Sequence, residues 1–265
     1  MNQKNNFMNW DKPGTALITG ASSGIGAEFA RRLASQGFKT ILVARRKEKM
    51  EALAQEIQNE HSTDVEILTG DLTQSKDVET IMSRMSELDD LDVLINNAGF
   101  GFMTDFLNTP LQGHQDMINV HCTVPVQLCY AAVPGMTSRG RGAIINLSSI
   151  VAIVRTSLSI MYTSTKEFLN VFSQILKANL KDTGIKVQSL CPGFTYTEFH
   201  DLEGMNGFDR GWFPKEWWMT AEEVVSLSLD AFENDTAICV PGKFNQDMVS
   251  DYLSNIKDLK SIEIK

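Results

Sequence analysis

Ala16-Leu17-Ile18-Thr19-Gly20-Ala21-Ser22-Ser23-Gly24-Ile25-Gly26 is the stretch whose reading decides the fold of this chain. Residues 16–19 are a short run of strand character, three glycines follow at 20, 24 and 26, and apolar residues then take helical spacing over 27–35. A strand that turns through glycines straight into a helix aims backbone N–H groups and the positive end of a helix dipole at one point. That is a cradle for a pyrophosphate, and glycine is what lets a ligand approach the backbone so closely. Gly20, Ser22, Ser23, Gly24, Ile25 and Gly26 are therefore candidate binding residues. A pattern Thr-Gly-x-x-x-Gly-x-Gly is expected by chance only about 0.006 times in a chain of this composition, which sets a ligand loop above a merely tight turn. Its glycine spacing differs from Gly-x-Gly-x-x-Gly.

Working outward, the same alternation repeats. Further strand-like runs lie at 40–43, 65–69, 93–95, 143–147, 187–190 and 237–240, with helical periodicity at 48–60, 76–86 and 117–132 between them. Seven strands alternating with helices predict an α/β fold, one seven-stranded parallel sheet with helices on both faces, since right-handed crossovers deliver helices to either side. A chain of 265 residues fits one such domain. We place an extension at 1–13, the domain at 14–242 and a tail at 243–265. Within the domain, 194–219 holds seven Phe or Trp residues, three Gly and one Pro without clean periodicity. An irregular stretch of that length is characteristic of functional loops.

Composition excludes several function classes. The net charge of −9 opposes attraction to nucleic-acid phosphates and to anionic membrane surfaces, so neither is an expected partner. The first residues, Asn2, Gln3, Lys4, Asn5 and Asn6 among them, are polar, and no stretch approaches 18 consecutive apolar residues. Four cysteines and four histidines are scattered without ligand spacing, so no metal site is expected and reduced thiols in a cytoplasmic setting are.

At the end of the second strand the chain reads Val43-Ala44-Arg45-Arg46, where a carboxylate would otherwise hydrogen-bond an adenosine ribose. The planar fork of Arg45 can instead pair with a ribose 2′-phosphate, pointing to NADP rather than NAD. The plainer alternative makes both arginines solvated residues at a helix start.

With the glycine loop, Asn96-Asn97-Ala98-Gly99, Tyr162-x-x-x-Lys166 and Pro192-Gly193 in this order, the sequence resembles the short-chain dehydrogenase/reductase family over about 14–242. Asn96 through Gly101 and Cys191 through Phe199 resemble an NADP-preferring bacterial branch of it. The resemblance implies a single-domain Rossmann fold, an NADP(H) cofactor and a homodimer or homotetramer. It also implies that Asp71 and Leu72 border the adenine, that Asn97, Ala98 and Gly99 line the cofactor with Asp92 at the same sheet edge, and that Asn96 ties neighbouring strands. Pro192, Gly193, Thr195 and Thr197 would hold the nicotinamide carboxamide.

Tyr-x-x-x-Lys alone is weak, with about 0.2 matches expected by chance, so position decides. Ser149 lies before Tyr162 at the end of a predicted strand, where catalytic groups converge beside a cofactor crevice. A tyrosine titrates near pH 10, and a cation one helical turn away, Lys166, is expected to lower that value. Tyr162 would then exchange a proton with a substrate carbonyl while Ser149 orients its oxygen. By resemblance, Lys166 also binds the nicotinamide ribose and Asn119 holds a water-linked proton relay. For Asn119 the alternative is a side chain that merely satisfies nearby backbone. His121 beside it reads as a packed or surface histidine. Ser148-Ser149 lacks the Gly-x-Ser-x-Gly elbow of a hydrolase.

The expected activity is thus NADP(H)-dependent interconversion of a carbonyl and a secondary alcohol. The aromatics of 194–219, with Phe100 and Phe102, suggest an apolar or ring-bearing substrate, with a subunit interface as the competing use of those rings. The rival from another class is a catalytically silent NADP-binding regulatory or structural protein. A larger epimerase-like relative is disfavoured, because only 23 residues follow Gly242.

Overall fold

The computed structural model of the protein describes residues 8, 10–155 and 159–255. From the first strand the order is β1 (Thr15–Thr19), α1 (Gly24–Ala34), β2 (Lys39–Ala44), α2 (Lys47–His61), β3 (Val65–Thr69), α3 (Ser75–Ser86) and β4 (Leu91–Asn96). Then follow α4 (Leu111–Ile118), α5 (Val124–Arg139), β5 (Gly142–Leu147), α6 (Ile160–Asn179) and β6 (Ile185–Leu190). The last part holds β7 (Thr195–Tyr196), β8 (Met219–Thr220), α7 (Ala221–Glu233), β9 (Ile238–Cys239) and α8 (Lys243–Asn255).

The main sheet has seven strands in the order β3-β2-β1-β4-β5-β6-β9, and every pairing in it is parallel. Neighbouring residues of one strand point to opposite faces, and here both faces are covered. Leu17 belongs to one buried cluster with Val78 and Ile81 of α3 and Leu128 of α5, while Ile18 belongs to another with Phe29 of α1, Met50 of α2 and Phe232 of α7. This is why the strands read as unbroken apolar runs rather than as an alternation. Each such side chain, fully withdrawn from water, contributes about 1.5–3 kcal/mol. The strand order reverses at β1, which lies between β2 and β4, so a crevice opens beyond the carboxyl ends of those strands.

Three expectations are corrected. Residues 117–132 are not one helix: α4 ends at Ile118, a π-helical turn spans Asn119–Thr123, and α5 begins at Val124. Pro125 explains the break, because it has no N–H to donate to residue 121. The tail is helical where described, since 243–255 form α8 and Asn245 is buried; 256–265 lie outside the described residues. Asp92 stands at the opposite end of the sheet from the crevice, because β4 starts at Leu91 and runs away from it. There its fully buried carboxylate accepts from the Gly14 amide at 2.9 Å and pairs with Arg141 at 2.6 Å, an anchor for the start of the domain.

The irregular segment after β6 is held at both ends. β7 pairs with β8 in parallel, Thr195 opposite Met219, so the residues between them form a closed flap built from short 3₁₀ turns.

Candidate active site

The crevice is a cavity of about 670 Å³. Every residue singled out from the sequence as catalytic or cofactor-binding lines it, except Gly26 and Asn119. It runs from the glycine loop and Arg45, past Asp71 and Leu72 and the 97–101 turn, to Ser149, Tyr162, Lys166 and the 192–197 segment.

Gly20 has φ +66, a conformation that L side chains rarely adopt, and an added Cβ would lie 2.7 Å from Asn97 Nδ2. Gly26 contributes packing rather than lining, for its Cβ would meet the Gly20 carbonyl oxygen at 2.4 Å. Asn97 supports the loop from below, its Nδ2 donating to the Thr19 carbonyl at 2.8 Å and the Gly20 carbonyl at 3.2 Å. Asn96 does join strands, donating to Asn146 Oδ1 at 2.8 Å. Ser23 precedes α1 without capping it, so no side chain of the N-cap competes for the first N–H groups of the helix. Farther along, Asp71 Oδ1 accepts from the amide of Thr73 at 3.0 Å and fixes the turn after β3.

The two arginines after β2 have different surroundings. Arg46 donates to Ser22 Oγ and Ser23 Oγ, each at 2.9 Å, and its other terminal nitrogen reaches Glu198 at 2.7 Å. Lys49 also pairs with Glu198. These cations hold the Glu198 carboxyl down to about 2. Arg45 is exposed, lines the cavity and has no hydrogen-bond or ion-pair partner among the described residues.

At the other end, Ser149 begins the turn after β5, its Oγ accepting from the Val151 amide at 3.4 Å. Tyr162 and Lys166 lie one turn apart on α6, with Lys166 Nζ 5.6 Å from the centroid of the tyrosine ring and donating to the Leu147 carbonyl at 2.7 Å. Burial dominates both titrations: it pushes the Tyr162 phenol up to about 12 and the Lys166 ammonium down to about 8. The Ser149 hydroxyl draws Tyr162 back. The net result differs from the expected lowered phenol, because burial outweighs the groups that lower it and leaves Tyr162 above its ordinary value.

Asn119 is not brought to this cluster. Its Nδ2 donates to the carbonyls of Leu72 at 3.1 Å and Thr73 at 3.4 Å, so the side chain satisfies backbone in the β3–α3 turn, the plainer of its two readings. Thr195 Oγ1 donates to the Gly193 carbonyl at 3.1 Å, and Thr197 Oγ1 accepts from the Phe199 amide at 3.3 Å. Sequence reasoning missed Phe244, Asn245 and Met248 of α8, which also line the cavity. Asn245 packs so tightly on Gly193 that a Cβ there would come within 2.3 Å of its Oδ1. Nothing in the local pattern of α8 announces this contact.

The flap supplies the apolar wall. Phe194 stacks near Phe213, ring centroids 4.3 Å apart, and near Trp218 at 5.1 Å, while Phe199 reaches the Tyr162 ring at 5.7 Å. Trp217 stacks on Phe244 of α8 at 5.0 Å.

A doubly wound sheet with a glycine loop at its switch point defines a dinucleotide-binding α/β protein. The chain belongs to the short chain dehydrogenase family, whose pattern it matches over residues 14–204. Among curated proteins it is 30% identical over 233 residues to a very-long-chain 3-oxoacyl-CoA reductase of Anas platyrhynchos, covering 86% of this chain and 72% of that one. It spans only 52% of fungal relatives with the same name. Among solved structures, a short-chain dehydrogenase from Sphingobium yanoikuyae in complex with NADPH is 32% identical, with a TM-score of 0.82 over 95% of this chain and 96% of the other. The bulky-bulky ketone specific alcohol dehydrogenase from Comamonas testosteroni is 29% identical, with a TM-score of 0.78 over 96% of both chains.

Proposed function

We propose that this protein is an NADP(H)-dependent oxidoreductase that interconverts a carbonyl and a secondary alcohol on an apolar or ring-bearing substrate. The observation that carries the reading is the convergence of Ser149, Tyr162 and Lys166 in one cavity with the glycine loop and an arginine that has no partner among the described residues. The residues present fit a phosphorylated dinucleotide. The loop glycines let the backbone pack where a Cβ would clash, 2.7 Å from Asn97 Nδ2 at Gly20 and 2.8 Å from Thr197 Cγ2 at Gly24, the first turn of α1 is uncapped by its N-cap side chain, and Arg45 stands where a 2′-phosphate needs a cation. The NADPH-bound Sphingobium relative supports the same cofactor and a bacterial, NADP-preferring kinship.

When bound, the coenzyme supplies or accepts the hydride. The protein's own residues do the rest. Ser149 donates a hydrogen bond to the substrate oxygen and orients it, and the protonated Tyr162 phenol gives its proton to that oxygen as negative charge develops. A phenol held near 12 is fully protonated at neutral pH, which suits the reducing direction. The Lys166 ammonium holds the end of β5 and is placed to hold the nicotinamide ribose. Phe199, Phe208, Phe213 and the other flap rings exclude water and offer an apolar wall. The names of the ketone- and oxoacyl-specific relatives support a bulky or long apolar substituent beside the carbonyl.

The test is an NADPH-oxidation screen over ketones, aldehydes, steroids and 3-oxoacyl thioesters. Turnover of an apolar carbonyl supports the reading. Tight NADPH binding without turnover of any of them would favour a silent NADP-binding protein instead.

A pH prediction follows from Lys166. Its charged form is present below about 8 and is lost above that value. Reductive kcat/KM is therefore expected to fall as pH rises through about 8. In Lys166→Arg the residual activity should lack this limb, because arginine stays charged. A limb retained in that variant would show that another group titrates.

We also propose that the protein acts as a homodimer or homotetramer. Val171 and Ile175 on α6 and Tyr130 on α5 are 55%, 66% and 79% exposed, and Val126 and Phe168 flank them, on helices that pack against the same sheet face. An apolar surface of this kind is characteristic of an association site. Combining Val171→Glu with Ile175→Glu should reduce the mass measured by light scattering to that of one chain. An unchanged mass places the interface elsewhere. Among the described residues no helix is long and apolar enough to cross a membrane. The four free thiols support a cytoplasmic setting.

A further inference from the structure

We infer that His121 is a positioning residue that locks the 97–101 turn of the cofactor cavity to the catalytic helix α6, and so sets where the nicotinamide half rests against Tyr162. The inference rests on the proposed oxidoreductase reading, and it concerns a side chain to which neither the family match nor the sequence assigned a role.

His121 is fully buried in the π-helical turn between α4 and α5. Both ring nitrogens are engaged, and the partners determine the tautomer. The Phe100 amide can only donate, and it lies 3.2 Å from Nε2, so Nε2 is the acceptor. The ring proton is therefore on Nδ1, which donates to Thr165 Oγ1 at 2.9 Å. The Thr165 hydroxyl passes its own proton on to the Met161 carbonyl at 2.8 Å. The Tyr162 carbonyl is a second acceptor for that hydroxyl at 3.1 Å, and the chain runs from the cavity turn into the first turn of α6. Protonating the ring would place an N–H against the Phe100 N–H. Burial and the Lys166 charge both disfavour that state, holding the imidazole well below its usual range.

The ring also stands inside the catalytic cluster. It meets the Tyr162 ring edge to face, centroids 5.6 Å apart. A Cβ on Gly99 would lie 2.9 Å from His121 Nε2 and 3.4 Å from Lys166 Nζ, so turn, histidine and lysine meet at one point with no space between them. The π-helical turn is what delivers residue 121 to this place. One extra residue per turn displaces the ring from the path of a regular helix, and such turns are enriched at functional sites. An isosteric apolar side chain would keep the packing but release the Phe100 amide, letting the turn shift relative to Tyr162. A misplacement of about 1 Å in a reacting pair is enough to lower a rate by about 10²-fold.

The test compares His121→Leu, His121→Gln and Thr165→Val in the full chain. For His121→Leu we expect NADPH affinity within about threefold of the unmutated protein and kcat, on whichever carbonyl the screen identifies, lower by about 10²-fold. His121→Gln, which keeps a donor and an acceptor, should recover most of that loss. Thr165→Val, which removes only the far partner, should lower kcat by about tenfold, and the Leu/Val double variant should be no worse than Leu alone, as for residues acting in one chain. If His121→Leu does not fold, the glutamine and valine variants carry the same comparison.

A readout independent of turnover is the emission of bound NADPH, which reports the surroundings of the nicotinamide. It should change in His121→Leu and Thr165→Val while affinity is kept. Should the unmutated protein reduce no carbonyl, the proposed activity fails on its own, and this emission still decides the role of His121. Unchanged emission and unchanged kcat in folded His121→Leu, or equal losses in the leucine and glutamine variants, would overturn the inference.

Discussion

Tyr162→Phe should lower carbonyl reduction by about 10³-fold while leaving NADPH affinity within about twofold, since one positioned general acid contributes about 10²–10⁴. The reason is geometric. The ring stays packed between His121 and Phe199, both contacts being made by ring faces and edges that phenylalanine retains. Only the hydroxyl is removed, and with it the one proton held ready beside Ser149 at neutral pH. The loss should appear in kcat rather than in coenzyme binding, because the hydroxyl is needed only as charge develops on the substrate oxygen. Coenzyme affinity measured by fluorescence, alongside turnover, separates the two. Retained turnover would remove Tyr162 as the proton donor.

Replacing Arg45 should have an equally large effect, on selectivity rather than on rate. The unmutated protein is expected to bind NADPH much more tightly than NADH, and Arg45→Ala should weaken NADPH binding by about 10²-fold and leave NADH nearly unchanged. A charge-assisted hydrogen bond contributes about 1.5–3 kcal/mol, and 1.4 kcal/mol is about tenfold in affinity. Arg46 is the internal control. It is already bound to Ser22, Ser23 and Glu198, so its loss should loosen the glycine loop and the flap and weaken both coenzymes together. Arg45 is solvent-exposed, so added salt should narrow the NADPH preference. Equal affinities for NADPH and NADH in the unmutated protein would remove the 2′-phosphate role.

The readings that survived are those carried by local pattern. The strands could be found because a parallel sheet covered on both faces writes itself as short apolar runs, and Leu17 and Ile18, buried on opposite faces, show why. The glycine loop was legible because its chemistry depends on residue types at fixed spacing. Ser149, Tyr162 and Lys166 were legible because β5, the following turn and α6 are consecutive, so that sequence distance stood in for spatial distance.

The features that escaped depend on partners far away in the chain. Glu198 meets Arg46 across 152 residues, and Asn245 supports Gly193 from a helix that seemed to be a tail. Neither contact leaves a periodic signal. Asn119 was read as part of the proton relay, and its side-chain amide donates to the backbone of 72–73, a contact the pattern did not show. The π-helical turn that carries it is set by Pro125 and by packing against α6, and hydrophobic spacing alone cannot show it. The titration of Tyr162 also needed coordinates. Proximity on a helix suggested a lowered phenol, whereas the burial of Tyr162 raises it.

The central claim is that the protein transfers hydride between NADPH and a substrate carbonyl in the cavity that holds Tyr162. The most direct measurement supplies NADPH deuterated on both hydrogens of the nicotinamide C4 to the purified protein, with a carbonyl that the screen shows to be reduced. Mass spectrometry of the product then locates the label. The account predicts one deuterium on the carbinol carbon and none on oxygen after exchange with water, with product formation lost in Tyr162→Phe. An alcohol without deuterium at that carbon, or NADPH that binds tightly and is never oxidised, would contradict it.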